Sequence, residues 1–127
     1  MGNKIILVTG AGGMLGRAIC QVFTGNSGMM VVGTGMKDVK NFSGSYYYTG
    51  DITDNSFIDS LLNDIKPDAI VHCAAMVDVD RCEQERESVY RLHVGSSDTL
   101  SKKAAPQTRF VYISTDSVYD GRKGDYS

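Results

Sequence analysis

The sequence predicts an α/β protein, a three-layer, doubly wound parallel sheet. Two observations carry this. Unbroken apolar runs of strand length, rich in β-branched residues, alternate along the chain with stretches of helical periodicity. The first of these runs passes through a glycine-rich turn straight into a helix. The resulting order, β-α-β-β-α-β-α-β, implies parallel strands joined by right-handed crossovers, with strand order 3-2-1-4-5.

The elements come in this order. Ile5-Ile6-Leu7-Val8 is a strand buried on both faces. Gly10, Gly13 and Gly16, with an extra Gly12, form the turn. A helix from about Met14 to Thr24 places Leu15, Ile19, Val22 and Phe23 on one face, and Gly25-Asn26-Ser27-Gly28 ends it. Met30 to Thr34 is the second strand, and Gly35 to Ser43 is a polar loop. Tyr46 to Thr49 is a short third strand, whose tyrosines read as strand packing rather than a stacking platform. Asp54, or Thr53, caps a helix carrying Phe57, Ile58, Leu61, Leu62 and Ile65 on one face, which Lys66-Pro67-Asp68 stops. Ala69 to Ala75 is the fourth strand and its exit, and Met76 to Glu83 is a loop. One long helix is expected from about Glu83 to Ala104, with Val89, Leu92, Val94 and Leu100 among charges. Arg109 to Ser114 is the fifth strand, and Thr115 to Ser127 is polar.

Bulk properties narrow the classes. At 127 residues, 42% apolar and 22% charged, the chain is one globular domain with a real core. A net charge of −2 gives no electrostatic case for nucleic acid or an anionic membrane. No apolar run approaches the ~20 residues of a membrane span. The first strand begins too close to Met1 to leave room for a signal peptide. Cys20, Cys73 and Cys82 are odd in number and lack metal-type spacing, as expected of reduced thiols in a cytoplasmic protein. His72 and His93 have no ligand-like neighbours, so no metal site is expected.

The glycine turn carries the first functional expectation. Its spacing is Gly-x-x-Gly-x-x-Gly. Missing side chains let the backbone approach a pyrophosphate, while the helix N-terminus offers N–H groups and a positive dipole end. Without the rest of the chain, the same glycines could simply make a tight turn. Lys37 lies just past the second strand, where the adenosine ribose rests in this topology. A basic residue there accommodates a 2′-phosphate, which favours NADP(H) over NAD(H). Alternatively, Lys37 is an ordinary solvated loop lysine.

VTGAGGMLG, GDITD, KPDAIVHCAAMVDVDRCE and FVYISTDSVYDG occur in that order across essentially all 127 residues. Together they resemble the extended short-chain dehydrogenase/reductases, and within them the dTDP-4-dehydrorhamnose reductase, or RmlD-like, branch. The resemblance implies a Rossmann-type NAD(P)-binding domain spanning 1–127, with the substrate domain absent. It implies that Gly10, Gly13 and Gly16, with the main chain at Met14 and Leu15, hold the pyrophosphate. Asp51 and Ile52 would contact the adenine, and Cys73, Ala74 and Ala75 would line the nicotinamide ribose. Ser114 and Thr115 would flank the nicotinamide, Thr115 being the hydroxyl member of the catalytic triad; alternatively, Thr115 is a capping or turn residue after the strand. His93 stands where the family has the asparagine of a water-linked proton relay, which puts that relay in question. Met76 and Val77 replace a usual Tyr-Thr pair. Asp80, Arg81 and Glu83 fall in a loop that helps shape the substrate site.

The family's Tyr-x-x-x-Lys pair follows the fifth strand on a helix. Tyr119 to Lys123 matches that spacing, but the intervening Asp-Gly favours a turn. The expectation is therefore the cofactor-binding part of a longer reductase, inactive as the isolated 127 residues. Its substrate would be a dTDP-deoxysugar, and a homo-oligomer would be compatible with the family. The alternatives are a non-catalytic dinucleotide-binding regulatory subunit, or an epimerase or dehydratase of nucleotide sugars.

Overall fold

The computed structural model of the chain describes residues 2–125. Five parallel strands stand in the order β3-β2-β1-β4-β5, as expected. They are β1 (Lys4–Thr9), β2 (Met29–Gly35), β3 (Tyr46–Thr49), β4 (Ala69–His72) and β5 (Arg109–Tyr112). The helices are α1 (Met14–Thr24), α2 (Asn55–Ile65), α3 (Val79–Gln84), α4 (Arg86–Tyr90) and α5 (Ser96–Lys103). Strand side chains alternate between two cores. Ile6, Val8, Val31 and Val71 pack with Cys20 of α1 on one face; Leu7, Val32 and Ile70 pack with α2 and Leu100 of α5 on the other.

Asp68 fastens the lower edge of the sheet. Its carboxylate accepts from the Ile5 N–H at 2.8 Å and from Lys4 Nζ at 3.0 Å. Its own N–H donates to the Ile5 carbonyl, and its carbonyl accepts from the Arg109 N–H. One residue thereby sets the starts of β1, β4 and β5. The Ile5 amide, and then Lys4, hold the Asp68 carboxyl below its ordinary range.

Asp54 is the cap of α2, accepting from the Ser56 N–H at 2.9 Å. Lys66 ends that helix in the left-handed region at φ 49°. Three expectations need correction. First, α1 is rotated. Gly16, Ile19, Cys20 and Phe23 face the sheet, whereas Leu15 and Val22 are 45% and 66% exposed. A Cβ on Gly16 would lie 2.2 Å from the Gly10 carbonyl oxygen, so close approach there fixes the rotation.

Second, residues 76–104 are not a loop and one long helix. Asp78 caps α3 by accepting from the Arg81 N–H at 3.1 Å. Glu85, at φ −112° and ψ 46°, breaks the chain before α4. A π-turn at Arg91–Gly95 then separates α4 from α5. Third, β5 stops at Tyr112 rather than Ser114, and Thr115 opens a 3₁₀ turn at Asp116–Val118.

Among the described residues β5 stands at the edge of the sheet, and Val111, Tyr112 and Ile113 are 40%, 48% and 38% exposed. An exposed apolar edge recruits further strands. Light scattering on the 127-residue chain should therefore show mass rising with concentration, and Val111→Lys should suppress the rise. A constant monomer mass throughout would contradict this.

His72 is 1% exposed at the end of β4. Burial, and secondarily the nearby His93, push its pKa from 6.5 down to about 4. As pH falls below 6.5 the unfolded chain takes the proton and the folded chain refuses it until about 4. Stability from this group is complete above that window and declines through it, by about 3 kcal/mol in total. Urea midpoints should fall between pH 7 and pH 4.5, with a smaller fall in His72→Phe. Equal slopes in both proteins would refute the assignment.

Candidate functional site

The site forms where β1 and β4 release the chain at the upper edge of the sheet. Gly10 leaves β1 at φ +62°, a conformation that favours glycine. A Cβ there would lie 2.8–2.9 Å from the main chain of Cys73 and Ala74. The exit of β4 is thus laid directly against the glycine turn. Gly13 precedes α1 with no side-chain cap, and the first turn of α1 has no acidic residue. The opening N–H groups of a helix have no partners within it. This combination suits an anion.

A cavity of about 620 Å³ opens above these elements. Gly10 and Gly13 form its floor, Gly50, Asp51, Ile52 and Thr53 one side, and Cys73, Ala74, Ala75 and Met76 another. Arg81, Glu85, Ser88 and Arg91 form the wall from α3 and α4 into the π-turn. A smaller hollow of about 350 Å³ adjoins it through Gly10, Gly13, Gly35 and Met36, and carries Arg17, Lys37 and Asp38. Tyr47 braces this hollow by donating from its hydroxyl to the Lys37 carbonyl at 2.9 Å. Burial, and then the Asp38 charge, push the Tyr47 pKa up.

The structure therefore brings together Gly10, Gly13, Asp51, Ile52, Cys73, Ala74 and Ala75, and places Lys37 in the adjoining hollow. Asp51 also has local work, its Oδ1 accepting from the Thr53 N–H at 2.8 Å and the Thr53 hydroxyl at 2.7 Å. Met14 and Leu15 extend exposed side chains and offer main chain alone. Gly16 sits beneath the turn as a packing glycine. His93 stands behind the cavity wall, its Nε2 accepting from the Met76 N–H at 2.8 Å.

Ser114 and Thr115 are exposed and are not among the residues lining the cavity. The Thr115 hydroxyl caps the 3₁₀ turn, accepting from the Ser117 N–H at 3.2 Å. Tyr119 and Lys123 are on no helix, and Gly121 between them has φ +70°. Among the described residues, no group of three or more His, Cys, Asp or Glu could hold a metal ion, and no helix is long and apolar enough to cross a membrane.

Sequence reasoning missed Arg17, whose Nε donates to the Gly12 carbonyl at 3.0 Å and so brings a cation to the turn. Its place one residue after the third glycine was the available signal. It also missed Thr9 and Thr34, buried hydroxyl residues at the upper ends of β1 and β2 that line the cavity. Their polarity at the end of apolar runs was the signal.

A family model described as RmlD substrate binding domain matches residues 4–127. The chain is 35% identical over 126 residues to methionine adenosyltransferase 2 subunit beta of Rattus norvegicus, covering 98% of this chain and 36% of that protein. The chain thus spans about a third of the curated relatives it matches. A hypothetical dTDP-4-dehydrorhamnose reductase from Sulfolobus tokodaii superimposes with a TM-score of 0.83 at 30% identity, covering 96% of this chain and 43% of that one. The dTDP-4-dehydrorhamnose reductase of Bacillus anthracis, solved in complex with NADP, gives 0.76 at 26% identity, with 97% and 40% covered. With this coverage and the Rossmann-like order of its five strands, the chain belongs to the RmlD substrate-binding-domain family.

Proposed function

We propose that the chain is the NADP(H)-binding part of a reductase acting on the ketone of a nucleotide sugar, a dTDP-4-dehydrorhamnose reductase. The observation that carries this reading is the uncapped N-terminus of α1 at the floor of the cavity, beside a hollow holding Arg17 and Lys37. The main-chain amides at Met14 and Leu15 would hold the pyrophosphate, with Gly10, Gly13 and Gly16 keeping side chains out of its way and the Gly13 N–H closing the turn on the Gly10 carbonyl. Arg17 and Lys37 would neutralise the 2′-phosphate, and Asp51 with Ile52 would meet the adenine. Cys73, Ala74 and Ala75 would lie along the nicotinamide ribose. The reduced nicotinamide supplies a hydride when bound. The Thr115 hydroxyl would donate a hydrogen bond, without giving up its proton, to the substrate carbonyl oxygen, offsetting the charge that develops there, with Ser114 beside it. His93 would hold the cavity wall through Met76.

A second reading is favoured by one observation. The subunit-beta relative is more similar in sequence than either of the two reductases. On that reading the chain binds the dinucleotide as part of a regulatory subunit and catalyses nothing. Met76 and Val77, in place of two hydroxyl residues, are compatible with it. A Tyr-x-x-x-Lys on the helix following the fifth strand of the full-length protein would favour the reductase, and its loss the subunit.

Fluorescence titration should show NADPH binding about fivefold to tenfold tighter than NADH, the scale of one or two charge-assisted contacts. Lys37→Ala and Arg17→Ala should each narrow that gap, while Asp51→Asn weakens both nucleotides alike. Equal affinities, unmoved by either cation variant, would rule out the 2′-phosphate assignment. The 127-residue chain given NADPH and the 4-keto sugar should oxidise no cofactor above a protein-free control, because general acid catalysis needs a positioned donor. Turnover by this chain would show that the donor lies within it.

A further inference from the structure

Two histidines fasten the cavity wall to the helix behind it. The Nδ1 of His72 is 2.6 Å from Thr9 Oγ1, and its Nε2 is 3.1 Å from Ser96 Oγ. The direction of each bond is set by the groups beyond it. Thr9 Oγ1 accepts from the Cys73 N–H at 3.1 Å, an amide it shares with the Thr9 carbonyl at 3.3 Å, and from the Ala74 N–H at 3.2 Å. Both hydroxyl lone pairs are then engaged, so the single Thr9 proton points to His72 Nδ1. Nδ1 is therefore the acceptor, and the imidazole proton sits on Nε2 and goes to Ser96 Oγ. Ser96 in turn donates to the Leu92 carbonyl in the π-turn.

The chain of hydrogen bonds runs one way, from two main-chain amides to one main-chain carbonyl. Among the described residues, no buried side-chain polar atom lacks a partner. His93 adds a parallel tie, its Nε2 accepting from the Met76 N–H. The residues tied at one end are Thr9, Cys73, Ala74 and Met76, and at the other Leu92, and all of them line the cavity.

We propose that His72, neutral and protonated on Nε2, is a positioning residue for the ligand of this cavity. It turns the Thr9 hydroxyl onto the Cys73 and Ala74 amides and holds the β4 exit at a fixed separation from the π-turn. Its bearing on the ligand rests on the dinucleotide reading of the site. An apolar ring at position 72 could fill similar space between Phe110 and Tyr112, whose rings lie 6.1 Å and 5.9 Å from the imidazole. It would leave the Thr9 proton without an acceptor and Ser96 without a donor, and buried groups stranded in that way are expensive. The strand would survive the change, and the geometry of residues 73–76 would not.

The test combines three measurements on the 127-residue chain. Nitrogen NMR of the His72 ring reads the tautomer, hydrogen exchange reads the Cys73 and Ala74 amides, and titration reads NADPH affinity. The ring should carry its proton on Nε2 at neutral pH. In His72→Phe, exchange at the Ala74 amide should accelerate at least about tenfold, with a smaller rise at Cys73, whose N–H keeps the Thr9 carbonyl, and NADPH affinity should fall about fivefold to tenfold. Ser96→Ala keeps the imidazole and should give a smaller change of the same kind, so the question stays open to measurement if His72→Phe does not fold. Thr9→Ser should lose less than Thr9→Val, because it keeps the hydroxyl. A ring protonated on Nδ1, or amides as protected in His72→Phe and Ser96→Ala as in the parent, would overturn the proposal. If the parent chain does not bind NADPH, the dinucleotide reading fails by itself, while the tautomer and the amide exchange still decide whether His72 holds the loop.

Discussion

Contact between bare backbones at the first crossover governs the rest of this fold. Gly16 of α1 presses on the Gly10 carbonyl, and Gly10 in turn presses on the main chain of Cys73 and Ala74. Two neighbouring segments and one far along the chain meet where no Cβ fits. That meeting sets the rotation of α1, the height of its N-terminus above the sheet and the path of the chain leaving β4. The cavity is the space left over once those three are fixed. Its polarity is a consequence, because backbone packed so closely presents amides rather than side chains.

The two ends of the sheet solve different problems. At the lower end, Asp68 closes the sheet with a carboxylate and main-chain bonds to β1 and β5. At the upper end, the hydroxyls of Thr9 and Thr34 terminate the apolar strands, Thr34 donating to the Tyr48 carbonyl at 2.7 Å. The strands between are short, four residues each in β3, β4 and β5, so little separates the fastening from the site. Polar groups at both ends pin an apolar middle whose two faces are covered independently by α1 and by α2 with α5.

The features legible in the sequence were those that depend on local pattern. The apolar runs located all five strands, and Asp54 before Phe57 and Ile58 located the start of α2. The glycine turn and the residues after β3 and β4 were legible as lining of one site, seven of them bordering one cavity. The features that escaped were set by distant contacts. Leu15 and Val22 fit a helical stripe, but Gly16 against Gly10 turned that stripe partly to solvent. His72 looked like a lone histidine in an apolar run, since its partners Thr9 and Ser96 lie 63 and 24 residues away. Thr115 lies past the end of β5, and its hydroxyl serves a local cap, the alternative that its position after a strand had left open.

The π-turn at Arg91–Gly95 has a consequence for how one helical stretch serves two masters. Ser88 upstream of it and Arg91 at its start look onto the cavity; downstream, Leu100 is locked in the core. Each residue added to a helix rotates the rest of that helix by about 100°. The wide turn therefore acts as a mechanical offset, letting the cavity-facing half keep one azimuth while the anchored half keeps another. Deleting a single residue within it would restore a plain α-helix and swing Ser88 and Arg91 away from the cavity while Leu100 stayed in place. The length of this short segment, more than the identity of its side chains, sets which way that wall faces.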